Sequence, residues 1–106
     1  MAATYLAELY LPRLRAGELE QAAARARATA AEMRREGAPV RYLRSLFVPD
    51  DETCFFLFEG PSAAAVKEAA ERAAIPVERV VQAVQVGQED LPPDRTPQAR
   101  GNDVRS

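Results

Sequence analysis

Apolar and polar residues alternate from Thr4 to Leu11. Tyr5, Ala7, Leu9 and Leu11 fall on one side, and Thr4, Leu6, Glu8 and Tyr10 on the other. A period of two predicts a strand, which Pro12 ends because proline has no N–H for the ladder. From about Gly17 to Glu36 the period changes. Leu19, Ala23, Ala26, Ala30 and Met33 recur at helical spacing, with Glu18 and Glu20 in the first turn and Arg34 and Arg35 in the last, each suited to the helix dipole. Gly37 then stands where a helix commonly stops. Two apolar runs follow, Tyr42 to Val48 and Thr53 to Glu59, separated by Pro49-Asp50-Asp51-Glu52. They read as a hairpin. Ser62 suits the N-cap of a second helix running to about Ala74, with Val66, Ala69, Ala70 and Ala73 inward, and Pro76 closes it. Arg79 to Val86 reads as a last strand.

The order βαββαβ predicts an α+β, ferredoxin-like domain. Right-handed crossovers put both helices on one face of a four-stranded antiparallel sheet, so the opposite face is left open. Residues 1–87 form that domain. Residues 88–106 hold prolines, charges and small polar residues without apolar periodicity, and read as a mobile tail.

If Val48 pairs with Thr53, then Leu43, Ser45, Phe47, Cys54, Phe56 and Phe58 face the helices. Tyr42, Arg44, Leu46, Val48, Thr53, Phe55, Leu57 and Glu59 share the open side. A slip of one residue would exchange the faces of a strand. Glu8 and Tyr10 join the open face from the first strand, and Gln82 is assigned to it from the last.

Composition narrows the function classes. The chain has 106 residues, enough for one domain with its own core, and its 47% apolar and 28% charged content is that of a soluble globular protein. Sixteen acidic residues outnumber fourteen basic ones and interleave with them, which argues against a nucleic-acid partner. The arginines and glutamates of the first helix read as a solvated face. One cysteine and no histidine exclude an internal disulfide and a cysteine–histidine metal cluster. No signal peptide and no apolar run of bilayer length can be read, so no membrane role and a cytoplasmic location are expected.

The candidate chemistry lies on the open face, where polar groups stand among apolar ones, as in many small-molecule sites. Glu8 or Glu59 would transfer protons and Arg44 would stabilise an oxyanion if the site is catalytic. Tyr10, Tyr42, Phe55 and Gln82 would contact the ligand. No metal site and no cofactor are expected. Cys54 reads as a small core residue, and Asp50-Asp51-Glu52 as a turn with too few oxygens for a hard cation. Leaving the open face wet is unfavourable, so it is expected to pair with a second copy, to hold a small organic ligand, or both.

At the hairpin the chain resembles a known group. Val40-Arg41-Tyr42-Leu43-Arg44-Ser45, Asp51-Glu52-Thr53-Cys54, Glu59-x-Pro61-Ser62, the alanine- and valine-rich second helix and Pro76-x-x-Arg79 are similar to a family of small, largely uncharacterised bacterial proteins. One branch of that family is described as nickel-binding. The resemblance runs from about Tyr5 to Val86 and implies a ferredoxin-like domain that dimerises into an α+β barrel. Members with the metal function are expected to use histidine near the start of the hairpin and within the second helix. Here those positions, around Arg44 and Ala69, hold none, so this chain looks like a histidine-free branch and the metal site is not carried over. That leaves nickel binding through carboxylates and Cys54 as an alternative function.

Overall fold

The computed structural model describes residues 2–86, and the tail expected over 88–106 lies outside them. The elements are β1 (Ala3–Tyr10), a 3-10 segment (Arg13–Glu18), α1 (Leu19–Arg35), β2 (Arg41–Val48), β3 (Thr53–Gly60), α2 (Ala63–Arg72) and β4 (Arg79–Ala83). The strands form one antiparallel sheet in the order β2-β3-β1-β4. This is the expected ferredoxin-like plan. β4 is three residues shorter than its apolar run suggested, and the first helix opens with 3-10 turns before the α-helix begins.

One core lies between the sheet and the helices. Tyr5, Ala7 and Leu9 of β1 and Cys54, Phe56 and Phe58 of β3 meet Ala26, Ala30 and Met33 of α1 and Val66, Ala69 and Ala70 of α2. Alanine on both helices lets them lie close to the sheet, and the aromatic residues on β3 fill the volume. No helix among the described residues is long and apolar enough to cross a membrane.

The two helices end in the same way with different residues. After α1, Ala38 N–H donates to the Met33 carbonyl at 2.9 Å and Gly37 N–H to that of Arg34 at 3.0 Å, with Gly37 at φ 100°. After α2, Ile75 N–H donates to the Ala70 carbonyl at 2.9 Å and Ala74 N–H to that of Glu71 at 3.0 Å, with Ala74 at φ 59°. Both are Schellman turns. Glycine takes the left-handed position without penalty, whereas alanine's Cβ crowds the following carbonyl. Ala74→Gly should therefore stabilise the fold by about 1 kcal/mol, read as a higher urea midpoint. An unchanged or lower midpoint would place the strain elsewhere.

The hairpin turn falls at Pro49–Glu52 with Val48 opposite Thr53, as expected, but the pairing is interrupted further along. Tyr42 lies opposite Phe58 and Arg44 opposite Leu57, so Leu43 is an extra residue in β2. This bulge reverses the parity of the strand at its start. Tyr42 is thereby carried to the helix side, correcting its expected place on the open face. There its hydroxyl shares a 2.6 Å hydrogen bond with Ser45, its ring packs against Phe56 and Phe58, and the Arg27 guanidinium sits 5.5 Å from the ring centre. Leu43 is half-buried.

Gln82 also differs from expectation. It lies opposite Tyr5 on β4, on the helix side at the sheet's edge, and is exposed. Arg79, Val81 and Ala83 are the β4 residues that reach the open face.

Candidate functional site

The three registers arrange the open face as rows across the sheet. Arg41, Glu59, Thr4 and Ala83 form one row, and Arg44, Leu57, Leu6 and Val81 the next. Leu46, Phe55, Glu8 and Arg79 form a third, and Val48, Thr53 and Tyr10 a fourth. An apolar band runs from Leu46 and Val48 on the edge strand β2 to Phe55, Leu57 and Leu6 on the central strands, with Arg41, Arg44 and Arg79 on the edge strands and Glu8 and Glu59 on the central ones. Leu57 is only 7% exposed although no helix covers it, because Leu6 beside it and Phe55 along its strand close over it. Leu46, Val48 and Tyr10 stay 51%, 38% and 56% exposed.

Glu8, Arg44 and Glu59 all stand on this face, but they do not converge. The Arg79 Nε–H donates to Glu8 Oε1 at 2.8 Å, an edge-strand partner that the sequence reading did not assign. β3 runs between Glu8 and Arg44. Arg44 and Glu59 make no ion pair among the described residues. Phe55 is on the face and half-buried.

Tyr10 is on the face as well, but its hydroxyl is engaged. It donates to Glu52 Oε1 at 3.1 Å, while the other Glu52 oxygen accepts the Arg13 N–H at 2.7 Å. The Glu52 carbonyl takes the Leu11 N–H at 2.8 Å. Glu52 stands at φ 50°, the left-handed twist that turns its side chain back onto the end of β1. It therefore clamps the hairpin turn to the β1 exit. Sequence reading treated it as one acid in a tight turn, and nothing local distinguishes it from Asp50 or Asp51.

The Arg13 amide, and then Tyr10, hold the Glu52 carboxyl below its ordinary value of 4.5, while the carboxylate pushes the Tyr10 phenol up. A depressed folded-state value means that the clamp contributes fully above the ordinary value and is lost as pH falls through the lowered one. Glu52→Gln should consequently lower the urea midpoint at neutral pH and make little difference in strong acid. A gap between the two proteins that persists in acid would show that ionisation is not what matters.

Cys54 is fully buried opposite Leu9 and Phe47, and burial pushes its thiol up to about 11. It is a core residue, as the sequence suggested. A cleft among the described residues lies away from the open face, on the helix side at the end of β1.

Residues 5–83 match a family model described as "Nickel responsive protein SCO4226-like". Among solved structures, the crystal structure of SCO4226 from Streptomyces coelicolor A3(2) is similar at 22% identity and a TM-score of 0.67. The match covers 80% of this chain and 100% of that one. At that identity the likeness speaks for the fold. No curated protein matches the chain.

Proposed function

The chain belongs to the family of nickel-responsive SCO4226-like proteins, and from that premise we propose that it works as a homodimer without nickel, holding a small organic ligand at its sheet face. The observation that carries the reading is the apolar band of that face, where Leu46 and Val48 of the edge strand β2 stay exposed beside Phe55 and Leu6. Three strands of eight residues and one of five, about 4.8 Å apart and up to about 25 Å long, span roughly 450 Å² in plan. That is a little over half of the about 800 Å² that each partner of a standard-size complex buries, and the relief of the side chains adds to it. A second copy fits this description better than any other occupant, because a two-fold related sheet presents the same apolar band in return and each covers the other's. Glu8 with Arg79, Arg44, Glu59 and Phe55 would then border the seam between the sheets, where a ligand would sit.

Nickel does not fit the residues present. It favours imidazole or thiolate donors. The chain has no histidine, its one thiol is buried and pushed up to about 11, and no three acidic or thiol side chains cluster among the described residues. A catalytic reading gains less support, since Glu8 is paired through one oxygen with Arg79, β3 runs between it and Arg44, and Glu59 stands in a different row of the face from Glu8.

Sedimentation and metal analysis of the purified protein test the reading together. The expected result is a dimer with nickel far below one ion per chain. A monomer at micromolar concentration, or stoichiometric nickel, would overturn it.

A further inference from the structure

The helix-side cleft has a volume of about 330 Å³. Its floor is the end of the sheet, formed by Leu9, Leu11 and Phe56. One wall is the first half of α1, through Leu19 and Ala22, and the other is the loop after α2, through Ile75. Two alanines keep it open. Ala22 leaves a gap on α1, and the left-handed turn at Ala74 brings Ile75 to the wall instead of continuing the helix across the space.

The polar groups at this cleft are not balanced. Arg15 and Glu18 pair with each other at 2.8 Å on the rim. Arg25 is a different case. Its Nε–H donates to the Ala73 carbonyl at 2.8 Å, which anchors the guanidinium across the cleft from its own helix. Its two terminal nitrogens make no hydrogen bond among the described residues. The result is an apolar floor beneath a fixed cation with spare donors. The volume is at the lower end of small-molecule sites, which run from about 300 to 1,000 Å³, so an occupant has one ring or an equivalent short chain. Arginine with free N–H groups selects a carboxylate among such compounds.

We infer that this cleft is a binding site for a small organic carboxylate, its apolar body against the half-buried Leu19 and Ala22 and the uncovered edges of Leu9 and Leu11, and its carboxylate on the terminal nitrogens of the exposed Arg25. The site is on the opposite side of the sheet from the proposed dimer seam. It goes beyond that reading and does not depend on it.

The test uses the full-length, nitrogen-15-labelled protein titrated with benzoate, with benzamide as its uncharged counterpart, followed by amide chemical shifts. Benzoate should move the signals of Leu19, Ala22 and Ile75 in a saturable way and leave Leu46 and Phe55 in place. Benzamide should bind about tenfold more weakly, or less well still, for want of the charged pair. Arg25→Gln should remove the difference between the two probes. Because Arg25 also holds the α2 terminus, Ala22→Leu gives a second variant. It fills the cleft, keeps the Arg25 anchor, and should abolish benzoate binding while the folded spectrum persists. A Leu46→Asp protein, altered only on the sheet face, should bind benzoate as the wild type does. Its failure to do so, shifts centred on the sheet face, equal binding of benzamide, or no saturable shift would each overturn the inference.

Discussion

Phe58→Ala is expected to cost about 3–5 kcal/mol, a large part of the roughly 5–15 kcal/mol that holds a domain of this size folded. Phe58 has no exposed surface. It stands opposite Tyr5 on β1 and Tyr42 on β2, and its ring meets that of Tyr42 at 5.7 Å and 68°, an edge-to-face contact. β3 is hydrogen-bonded on both sides, so the backbone cannot sink into the space a truncated ring leaves. The loss should therefore include the cavity as well as the transfer of the ring. Urea denaturation checks it, as a lower midpoint with an unchanged slope. Phe55, on the uncovered face of the same strand, provides the control. In a Leu46→Asp background, where a dimer seam no longer contributes, Phe55→Ala should cost much less than Phe58→Ala. The reverse order would mean that the faces of β3 are exchanged.

The fold was legible because the periods along the chain change where the elements change. Tyr5, Ala7 and Leu9 alternate and are buried together, while Ala26, Ala30 and Met33 recur at helical spacing and meet them. Gly37 and Ser62 then mark a helix end and a helix start with their own chemistry. Gly37 takes the left-handed turn, and the Ser62 hydroxyl oxygen accepts the Ala65 N–H at 3.1 Å. Ala74 carried no such mark. The α2 terminus needs the same conformation as Gly37, but tertiary packing imposes it on an alanine, and a helix-favouring residue conceals the turn.

The site was less legible, for reasons of register rather than composition. Tyr42-Leu43-Arg44 contains no glycine or proline to announce a bulge, yet the bulge decides which face Tyr42 occupies. Strict alternation from the turn is right for Arg44, Leu46 and Val48 and fails one step beyond Arg44. The ferredoxin-like plan already places β4 next to β1, but the Glu8–Arg79 pair also depends on which residues stand opposite each other, and no tight turn between the two strands fixes that register. The helix-side cleft draws its walls from β1, α1, β3 and the loop after α2. No short window of sequence holds more than one of these, so its arginine reads as one more charge on a solvated helix.

Leu46→Asp should separate the proposed dimer without unfolding its subunits. Leu46 is 51% exposed in the single chain, on the edge strand β2 next to Phe55 in the apolar band of the face. Aspartate there costs the isolated subunit about 1 kcal/mol, mostly through its poor fit to a strand. In a two-fold dimer the same substitution enters the interface twice, and each copy would bury a carboxylate without a partner, at several kcal/mol per charge. Aspartate is chosen over glutamate because Arg44 stands about 7 Å along the strand on the same face, within reach of the longer side chain. A penalty above about 4 kcal/mol raises the dissociation constant by about a thousandfold, enough to turn a dimer into a monomer at micromolar concentration. Sedimentation equilibrium reads the mass, and circular dichroism checks that the helices and sheet persist. A Leu46→Asp protein that is folded and still dimeric would move the interface off this apolar band, because a seam that covers Leu46 leaves each aspartate buried without a partner.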